Sequence, residues 1–270
     1  MKNLGRITLI LLCLLLTACT QETEQVEYYC TRRVFTRSGI TNQTDMTYDE
    51  EGRLLSSVTT VDDVIVNNLS YTYNDDGTLV TVTQQTEGGI VTGENHRTFD
   101  DQGNVLTEVM MEEDTAVSSY EYTCDENGNL LTQILTSAYG PENSVNTTTY
   151  TYDENGNKLS QENTTNYGGQ ELVNLTEYQY DDQGRLATEI HYSQGQISGT
   201  GEYTYDPETR TEIYTFLDAA STVSTRIRRV YDEAENVLLE EQLDADDNVI
   251  STVTQTWQGS DGSISQLEDQ

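Results

Sequence analysis

Basic residues are scarce in this 270-residue sequence. It contains 13 lysine and arginine residues against 47 aspartate and glutamate residues, which gives a formal net charge of −34 at pH 7. Nucleic acids and anionic lipid surfaces bind proteins through clusters of lysine and arginine. The composition therefore argues against a nucleic-acid partner and against a chain that lies flat on a membrane. The densest acidic stretch, residues 229–247, is typical of a solvated surface.

Residues that carry catalysis are also scarce. The two histidines, His96 and His191, lie far apart in the sequence, and we interpret both as polar surface residues. The sequence lacks the motifs of a nucleophile elbow, a phosphate-binding loop and a zinc-binding helix. Its short acidic blocks, such as DENG at 153–156, do not place ligands as calcium loops do. An enzyme with scattered carboxylates would need two carboxyl groups about 5–10 Å apart in a cleft. The sequence predicts no catalytic residue, no metal site and no cofactor.

Long hydrophobic runs are confined to one segment, residues 7–18 (ITLILLCLLLTA), which follows Lys2 and Arg6. The run is too short to span a bilayer, which takes about 20 residues, but it fits the apolar region of a secretory signal. It ends in LTAC, which resembles the lipoprotein box of bacteria. In that class of protein the cysteine receives a lipid and cleavage occurs just before it. The resemblance implies a signal peptide at 1–18, a lipidated tether at 19–27 and acylation of Cys19. It also implies that the protein lies in the bacterial cell envelope, facing outside the cytoplasm, and meets the membrane through Cys19 only.

Cysteine is limited to four residues. Cys13 falls in the predicted signal and Cys19 in the lipoprotein box, which leaves Cys30 and Cys124. These two could form a disulfide outside the cytosol. A loop of about 95 residues closed in this way would contribute up to about 4–5 kcal/mol if unstrained. Their spacing is not that of metal ligands.

The rest of the sequence is a repeat with a period of 25 to 28 residues. In most repeats an aromatic anchor is followed directly by aspartate or asparagine, and glycine stands four positions after the anchor. Aspartate and glycine at these positions predict a type I turn that ends in a left-handed residue and closes a β-hairpin. The nine anchors are Tyr48, Tyr73, Phe99, Cys124, Tyr152, Tyr180, Tyr205, Tyr231 and Trp257.

Between these turns, tyrosine and threonine alternate with a period of two, which predicts half-buried antiparallel strands. Second turns are predicted at 38–39, 62–63, 88–89, 139–143, 168–169 and 194–195. Together they give an all-β chain, a repetitive hairpin meander of about 18 strands between residues 26 and 257. Open sheets rarely exceed about 10 strands, so this sheet must curl into a barrel-like, spiral or folded-over form. The threonine, glutamine and glutamate residues on the face opposite the tyrosines argue against a transmembrane barrel.

The recurrent phrase YxYDxxGxL resembles the YD repeat of the RHS and teneurin-like proteins. It stands in this sequence as YTYDENGNKL (150–159), YQYDDQGRL (178–186), YTYNDDGTL (71–79), MTYDEEGRL (46–54) and YTCDENGNL (122–130). The resemblance implies a sheet that spirals into a hollow shell around a cargo polypeptide. The late repeats depart from it, because Thr209, Glu235 and Asp261 replace the turn glycine. The chain ends soon after the last repeat, so we expect no cargo and do not carry over a delivery role.

These observations predict a YD-repeat β domain at 28–264 and an acidic tail at 265–270. The function that we expect is that of a non-enzymatic, surface-anchored lipoprotein whose sheet serves as a binding or scaffold module. Its expected partner is a protein or a glycan at the cell surface. The alternative is a protein that binds a glycan or small ligand with tyrosines inside the curled sheet. A filled tyrosine face would favour the first function and a hollow one the second.

Overall fold

A computed structural model describes residues 27–75, 79–85, 91–112, 115–137, 144–167 and 169–267. Cys19, the predicted signal, most of the tether and the predicted turns at 88–89 and 139–143 lie outside the described residues. The described chain consists of strands and turns, without a helix. The nineteen strands are β1 (Tyr28–Arg37), β2 (Ile40–Tyr48), β3 (Leu54–Val61), β4 (Val64–Tyr73), β5 (Leu79–Gln85), β6 (Val91–Phe99), β7 (Val105–Glu112), β8 (Thr115–Cys124), β9 (Leu130–Ser137), β10 (Ser144–Tyr152), β11 (Lys158–Tyr167), β12 (Gln170–Tyr180), β13 (Leu186–Ser193), β14 (Gln196–Asp206), β15 (Thr211–Asp218), β16 (Val223–Tyr231), β17 (Val237–Leu243), β18 (Val249–Gly259) and β19 (Ile264–Ser265).

The first eighteen strands form a closed antiparallel barrel. Each strand pairs with the next, and β1 pairs with β18 through a ladder that sets Phe35 opposite Val253 and Arg37 opposite Ser251. The short strand β19 pairs with the end of β18 beyond this wall. The predicted all-β meander is confirmed, and of the three predicted forms the closed barrel is the one that occurs.

One rim of the barrel is built from the aspartate turns, and we call it the aspartate rim. At Asp153, the carboxylate oxygen Oδ1 accepts the backbone N–H groups of Asn155 and Asn157, and Oδ2 accepts the side-chain amide of Asn157. Gly156 follows with a φ of 83°, which glycine adopts without a Cβ clash. The same bonds to Oδ1 recur at Asp49, Asp100, Asp125, Asp181 and Asp232. The predicted left-handed glycines are confirmed at Gly52, Gly103, Gly128, Gly156 and Gly184.

The late repeats solve the loss of the turn glycine in three ways. Glu235 itself adopts the left-handed conformation, with a φ of 64°. In the last repeat Gly262 takes that conformation, one position later than predicted, with a φ of 84°. In the repeat of Tyr205 the left-handed residue is Arg210, with a φ of 51°. A left-handed residue is therefore kept in each of these turns, although Asp206 accepts the N–H groups of Glu208 and Thr209, two and three positions on, instead of those two and four positions on.

The other rim, here the opposite rim, carries the predicted second turns. Ser38 and Gly39, Asp62 and Asp63, and Gln194 and Gly195 all have positive φ. Two positive φ values are the requirement of the two-residue turn that best matches strand twist. The late repeats differ here as well, because Asp218 and Asp244 build aspartate turns at this rim.

The wall of the barrel has two faces. The tyrosine face carries the anchor residues and the side chains that alternate with them, and the threonine face carries the side chains between. Where β10 pairs with β11, for example, Tyr150 lies opposite Gln161 on the tyrosine face, and Thr151 lies opposite Ser160 on the threonine face. Bulges at both rims preserve this alternation from one hairpin to the next.

The barrel does not enclose a packed core. Among the described residues no large side chain is fully buried, and the buried apolar residues are Val117, Leu243 and Val253. Eighteen strands about 4.8 Å apart make a wall about 86 Å wide, and a strand tilt of about 35–45° closes that wall into a barrel roughly 34–39 Å across. Barrels of 16 to 18 strands leave a water-filled interior. The half-buried tyrosines are therefore part of a wall and not of a filled centre.

The predicted disulfide is not present, since Cys30 and Cys124 are both free. Cys30 lies in β1 and Cys124 in β8, seven strands away around the wall. Cysteines must have their α-carbons within about 7 Å to be joined without backbone movement. Strands spaced about 4.8 Å apart carry these two well beyond that limit.

Within the described residues, no helix is long and apolar enough to cross a membrane.

Candidate ligand-binding site

Most anchor residues make one shared hydrogen bond at the aspartate rim. Each donates from its side chain to a backbone carbonyl at the start of the neighbouring strand. For Tyr152 the acceptor is the carbonyl of Leu130, at 2.8 Å. The bond recurs from Tyr48 to Cys30, Tyr73 to Leu54, Tyr180 to Lys158, Tyr205 to Leu186 and Trp257 to Val237. These anchors thus have a structural task and are not the site.

The candidate site lies further along the tyrosine face, where two aromatic rings cross β14. Phe216 and Tyr214 of β15 lean over Gly199 and Gly201 of β14. A Cβ built on Gly199 would lie 2.3 Å from the Phe216 ring, and one built on Gly201 would lie 2.5 Å from the Tyr214 ring. Only glycine allows rings to lie this close to a strand. The far end of each ring lies over the glycine backbone, and the Tyr214 ring also contacts the ring of Tyr203, with centroids 4.8 Å apart. We call the rings of Phe216 and Tyr214 the aromatic platform.

Glu189 and His191 of β13 border the platform. The register sets Glu189 opposite Gly201 and His191 opposite Gly199. The hydroxyl of Tyr203 donates to Oε1 of Glu189 at 3.0 Å, and Nε2 of His191 lies 3.2 Å from Oε2 of Glu189. The imidazole also meets the Phe216 ring edge to face, with ring centroids 5.4 Å apart. Tyr203, the Glu189 carboxylate, the His191 imidazole and the Phe216 ring therefore form one cluster.

His191 has a polar atom that finds no hydrogen-bond partner among the described residues. Its Nδ1 lies 3.1 Å from Oγ1 of Thr176, within a hydrogen bond. Its Nε2 is buried and forms no hydrogen bond to any described residue, although Oε2 of Glu189 lies 3.2 Å away. A buried polar atom of this kind costs about 1–3 kcal/mol unless something binds it.

Lys158 lies on the other side of Glu189, between two tyrosines. Its Nζ is 4.4 Å from the ring centroid of Tyr178 and 5.8 Å from that of Tyr150, and it donates to Oε1 of Gln161 at 3.3 Å. Burial lowers the pKa of Lys158, and the charge of Glu189 opposes that shift. The ammonium group is held against aromatic faces by cation–π attraction.

The phenols around Glu189 remain proton donors at neutral pH. Burial, with the charge of Glu189 as the second cause, raises the pKa of Tyr178 and of Tyr214 to about 12. The same two causes raise the pKa of Tyr203. A neutral phenol donates a hydrogen bond to a carboxylate or to a ligand oxygen. The site thus offers phenol donors, a carboxylate acceptor and an aromatic surface.

A second cationic side chain, Arg229, lies on the same tyrosine face. Arg229 donates from Nε to Glu240 at 2.7 Å and from Nη1 to Glu212 at 2.6 Å. Burial opposes the charge of Arg229, but the two carboxylates together raise the pKa of its guanidinium. Glu212 is buried, so this ion pair is satisfied by the protein and stabilises the wall beside the platform.

The sequence-based assignment of both histidines to the surface is correct for His96 only. His96 lies on the threonine face, about half exposed, with Nε2 3.0 Å from Glu94. His191, which the sequence also assigned to the surface, lies in the Glu189 cluster. Within the described ranges no group of three or more histidine, cysteine, aspartate or glutamate side chains is arranged to hold a metal ion. Cys19 lies outside the described residues.

Sequence reasoning missed the platform, although a signal for it exists. The stretch GTGEY (199–203) places two glycines two positions apart in a strand, and YTF (214–216) places two aromatic residues two positions apart in the next. Glycines and aromatics that share a face in paired strands predict rings lying over the glycines.

A family model described as "Uncharacterised protein" matches residues 45–179, which is half of the chain. The chain belongs to this family. The matched region ends before Glu189, so the aromatic platform lies outside it. No curated protein matches the sequence.

Solved structures show weak similarity. A porin-like protein from Bacteroides uniformis is 13% identical, with 85% of this chain and 98% of that chain covered and a TM-score of 0.45. A porin-like protein from Bacteroides vulgatus is 11% identical, with the same coverage and the same TM-score. A chain of the TcdB2-TccC3-Cdc42 structure is 14% identical, with 85% of this chain covered and a TM-score of 0.37. The present chain spans about 15% of the length of that chain.

Proposed function

We propose that this chain is a non-enzymatic, lipid-anchored protein of the bacterial cell envelope that binds a small ligand, such as a glycan, on the tyrosine face inside its barrel. The observation that carries the proposal is the closed wall of eighteen strands without a packed core. A closed wall of this size provides a concave surface and a water-filled interior. The aromatic platform provides the apolar area that ligand sites need, beside a few polar groups.

The exposure of charged side chains supports an inward tyrosine face. On that face, the side chain of Glu108 is 16% exposed and that of Glu189 15%. On the threonine face, the side chain of Arg32 is 53% exposed and that of His96 48%. The exceptions on the threonine face are Glu241, which Arg228 covers, and Arg226, which pairs with Asp247. Side chains on the concave side of a barrel converge and shield one another, whereas those on the convex side diverge.

The proposed anchor fixes how the barrel would stand on the membrane. Strand β1 begins with Tyr28 at the aspartate rim, opposite Gly259 of β18. A lipid on Cys19 would therefore hold the aspartate rim towards the bilayer through residues 20–27, which span at most about 26 Å. The opposite rim would then face away from the membrane and admit ligands.

The separation of Glu189 from Glu212 supports binding over hydrolysis at the aromatic platform, and the nearer pair, Glu212 and Glu240, is engaged by Arg229. Glu189 lies opposite Gly201, and Glu212 lies opposite Tyr205, two strands across the sheet and four residues along it. On a regular sheet this places their α-carbons about 16 Å apart. Pairs of carboxyl groups in glycosidases are about 5–10 Å apart.

A scaffold that binds a protein partner is the second candidate function. It is favoured by exposed apolar side chains near the opposite rim, namely Ile40, Val64, Val66, Ile197 and Val249. Ile40, Val64, Val66 and Val249 lie on the stretch of wall from β18 to β4, and an apolar group of this kind is typical of contact surfaces between proteins, whereas Ile197 lies across the barrel on β14. A pull-down from envelope extracts with wild type and with Val64→Ser/Ile197→Ser would test it. Capture of one partner by the wild type alone would favour the scaffold.

Thiol labelling tests the proposed interior site. In a background with Cys30→Ser and Cys124→Ser, a cysteine is placed at Asn163 on the tyrosine face or, as the matched control, at Glu162 on the threonine face. The purified protein is treated with a small maleimide or with a maleimide on a long polyethylene glycol chain. We expect the small reagent to label both sites and the large one to label only position 162. Equal labelling of both sites by the large reagent would overturn the proposal.

A further inference from the structure

The geometry points to the aromatic platform as a saccharide subsite that takes a pyranose ring with equatorial hydroxyls. The inference rests on the proposed function, because the platform receives a ligand only if the tyrosine face lines an accessible interior. It adds the position of the site and the chemical class of the ligand.

The platform is shaped for flat stacking. Because Gly199 and Gly201 lack side chains, the rings of Phe216 and Tyr214 lie against the strand, with His191 beside the first ring and Tyr203 beside the second. A pyranose with equatorial hydroxyls has apolar C–H groups on both faces of its ring and hydroxyls around its edge. Such a ring can bury one apolar face on an aromatic side chain while its hydroxyls remain at the edge.

The polar groups lie where the edge of such a ring would be. Glu189 accepts from the hydroxyl of Tyr203, and the hydroxyl of Tyr214 is a further donor to it, whereas an ionised carboxylate has about four acceptor positions. It can therefore accept further hydrogen bonds from sugar hydroxyls. The buried Nε2 of His191, which lacks a hydrogen bond within the described residues, is a second point of attachment. Lys158, next to Tyr178, supplies a donor on the far side of Glu189.

This combination occurs once in the described strands. The pattern Gly-x-Gly is present in β14 and in no other described strand. On the same face of the other repeats, the position of Gly201 is filled by side chains such as Tyr120, opposite Glu108. The repeat accounts for the strands of the wall. It does not require the glycine pair of β14 or the two rings that cover it.

The test uses the purified protein with methyl β-D-glucopyranoside and cellotetraose as probes, and saturation-transfer NMR as the readout. We expect transfer to the axial ring protons of the sugar, since these face the platform. Phe216→Leu keeps an apolar cover over Gly199 but removes the ring, and Glu189→Gln removes the charged acceptor. Each is expected to weaken binding by about tenfold. Glu108→Gln, a carboxylate on the same face beside Arg97, is the matched control and should bind as the wild type does.

Three results would overturn the inference. They are no saturation transfer with either probe, equal binding by wild type, Phe216→Leu and Glu189→Gln, or equal weakening by Glu108→Gln. Circular dichroism and the thermal midpoint show that each variant is folded before it is compared. Failure of the inference alone would leave position 163 shielded from the large maleimide, whereas failure of the proposed function would expose it. The two failures are therefore distinguishable.

Discussion

The hydroxyl of Tyr152 donates a hydrogen bond of 2.8 Å to the backbone carbonyl of Leu130, which is the first residue of β9. Four more tyrosines and Trp257 make the equivalent bond around the aspartate rim. Carbonyls at strand ends lack part of the ladder and need another donor. The tyrosine of the repeat is thus selected for its hydroxyl as well as for its ring.

Replacement of this hydroxyl should weaken the barrel by a predictable amount. Tyr152→Phe keeps the ring and loses the bond, so we expect the free energy of unfolding to fall by about 1 kcal/mol. Urea denaturation followed by circular dichroism measures the change. Tyr150→Phe, two residues earlier on the same face, is the control, because its hydroxyl is not one of the rim donors. An equal loss in both variants would contradict this role of Tyr152.

Cys124 is an anchor that does not make the shared hydrogen bond to a backbone carbonyl at the aspartate rim. Replacement of Cys124 by tyrosine should introduce that bond. A shallow depression lined by Asp100, Cys124 and Asp125 lies at this point of the rim. The equivalent acceptor is the carbonyl of Val105, the first residue of β7. We expect Cys124→Tyr to raise the free energy of unfolding by about 1 kcal/mol. Cys124→Ser, which adds no ring, should bring no such gain, and a loss of stability in Cys124→Tyr would refute the equivalence of the anchors.

The turn at Glu235 stores backbone strain that glycine would relieve. Glu235 has a φ of 64°, in the left-handed region where a Cβ costs roughly 1–2 kcal/mol. We therefore expect Glu235→Gly to raise the thermal midpoint. Gly156→Ala, at the same position of an intact repeat with a φ of 83°, should lower it. Changes of the same sign in both variants would show that the turn conformation does not decide stability here.

Stability should fall in acid as the turn aspartates gain protons. The amide side chains of Asn104, Asn129 and Asn157 are the first cause that lowers the pKa of Asp100, Asp125 and Asp153, and backbone N–H groups are the second. A depressed pKa adds stability that is present above the ordinary value of about 3.9 and is lost as pH falls through the lower values. Thermal midpoints measured from pH 6 to pH 2 should therefore drop below about pH 4.

The variant Asp153→Asn tests the cause of that drop. It keeps an oxygen acceptor for the turn but has no proton to gain, so its stability should depend less steeply on acid pH. A wild type whose midpoint stays flat down to pH 2, or a variant with the same slope as the wild type, would count against the turn aspartates as the source.

The turns and strands could be predicted because their causes are local. Aspartate at 153 and glycine at 156 specify a turn within five residues, and the alternation of tyrosine and threonine specifies two faces. The late repeats show the limit of this reasoning. Glu235 adopts a conformation that its residue type disfavours, since the bonds of Asp232 hold the turn in place.

Closure and the neighbours of His191 could not be predicted, because both depend on distant residues. Nothing in residues 28–37 indicates that they pair with β18, more than 200 residues later. The same closure places Cys30 and Cys124 far apart, which rules out the disulfide that the sequence left open for them. His191 gains its neighbours from three other strands, through Thr176, Gly199 and Phe216. A single residue in the sequence carries no trace of such contacts.

Closure of the barrel by β1 and β18 is the claim on which the interior site depends, and one cross-link tests it directly. Thr36 and Thr252 lie opposite each other on the threonine face of this pair. In a background without Cys30 and Cys124, Thr36→Cys with Thr252→Cys should form an intramolecular disulfide on mild oxidation, detected by mass spectrometry of a peptide pair. Thr36→Cys with Thr149→Cys should not. Failure of the first pair to cross-link would indicate an open spiral and would contradict the closed barrel.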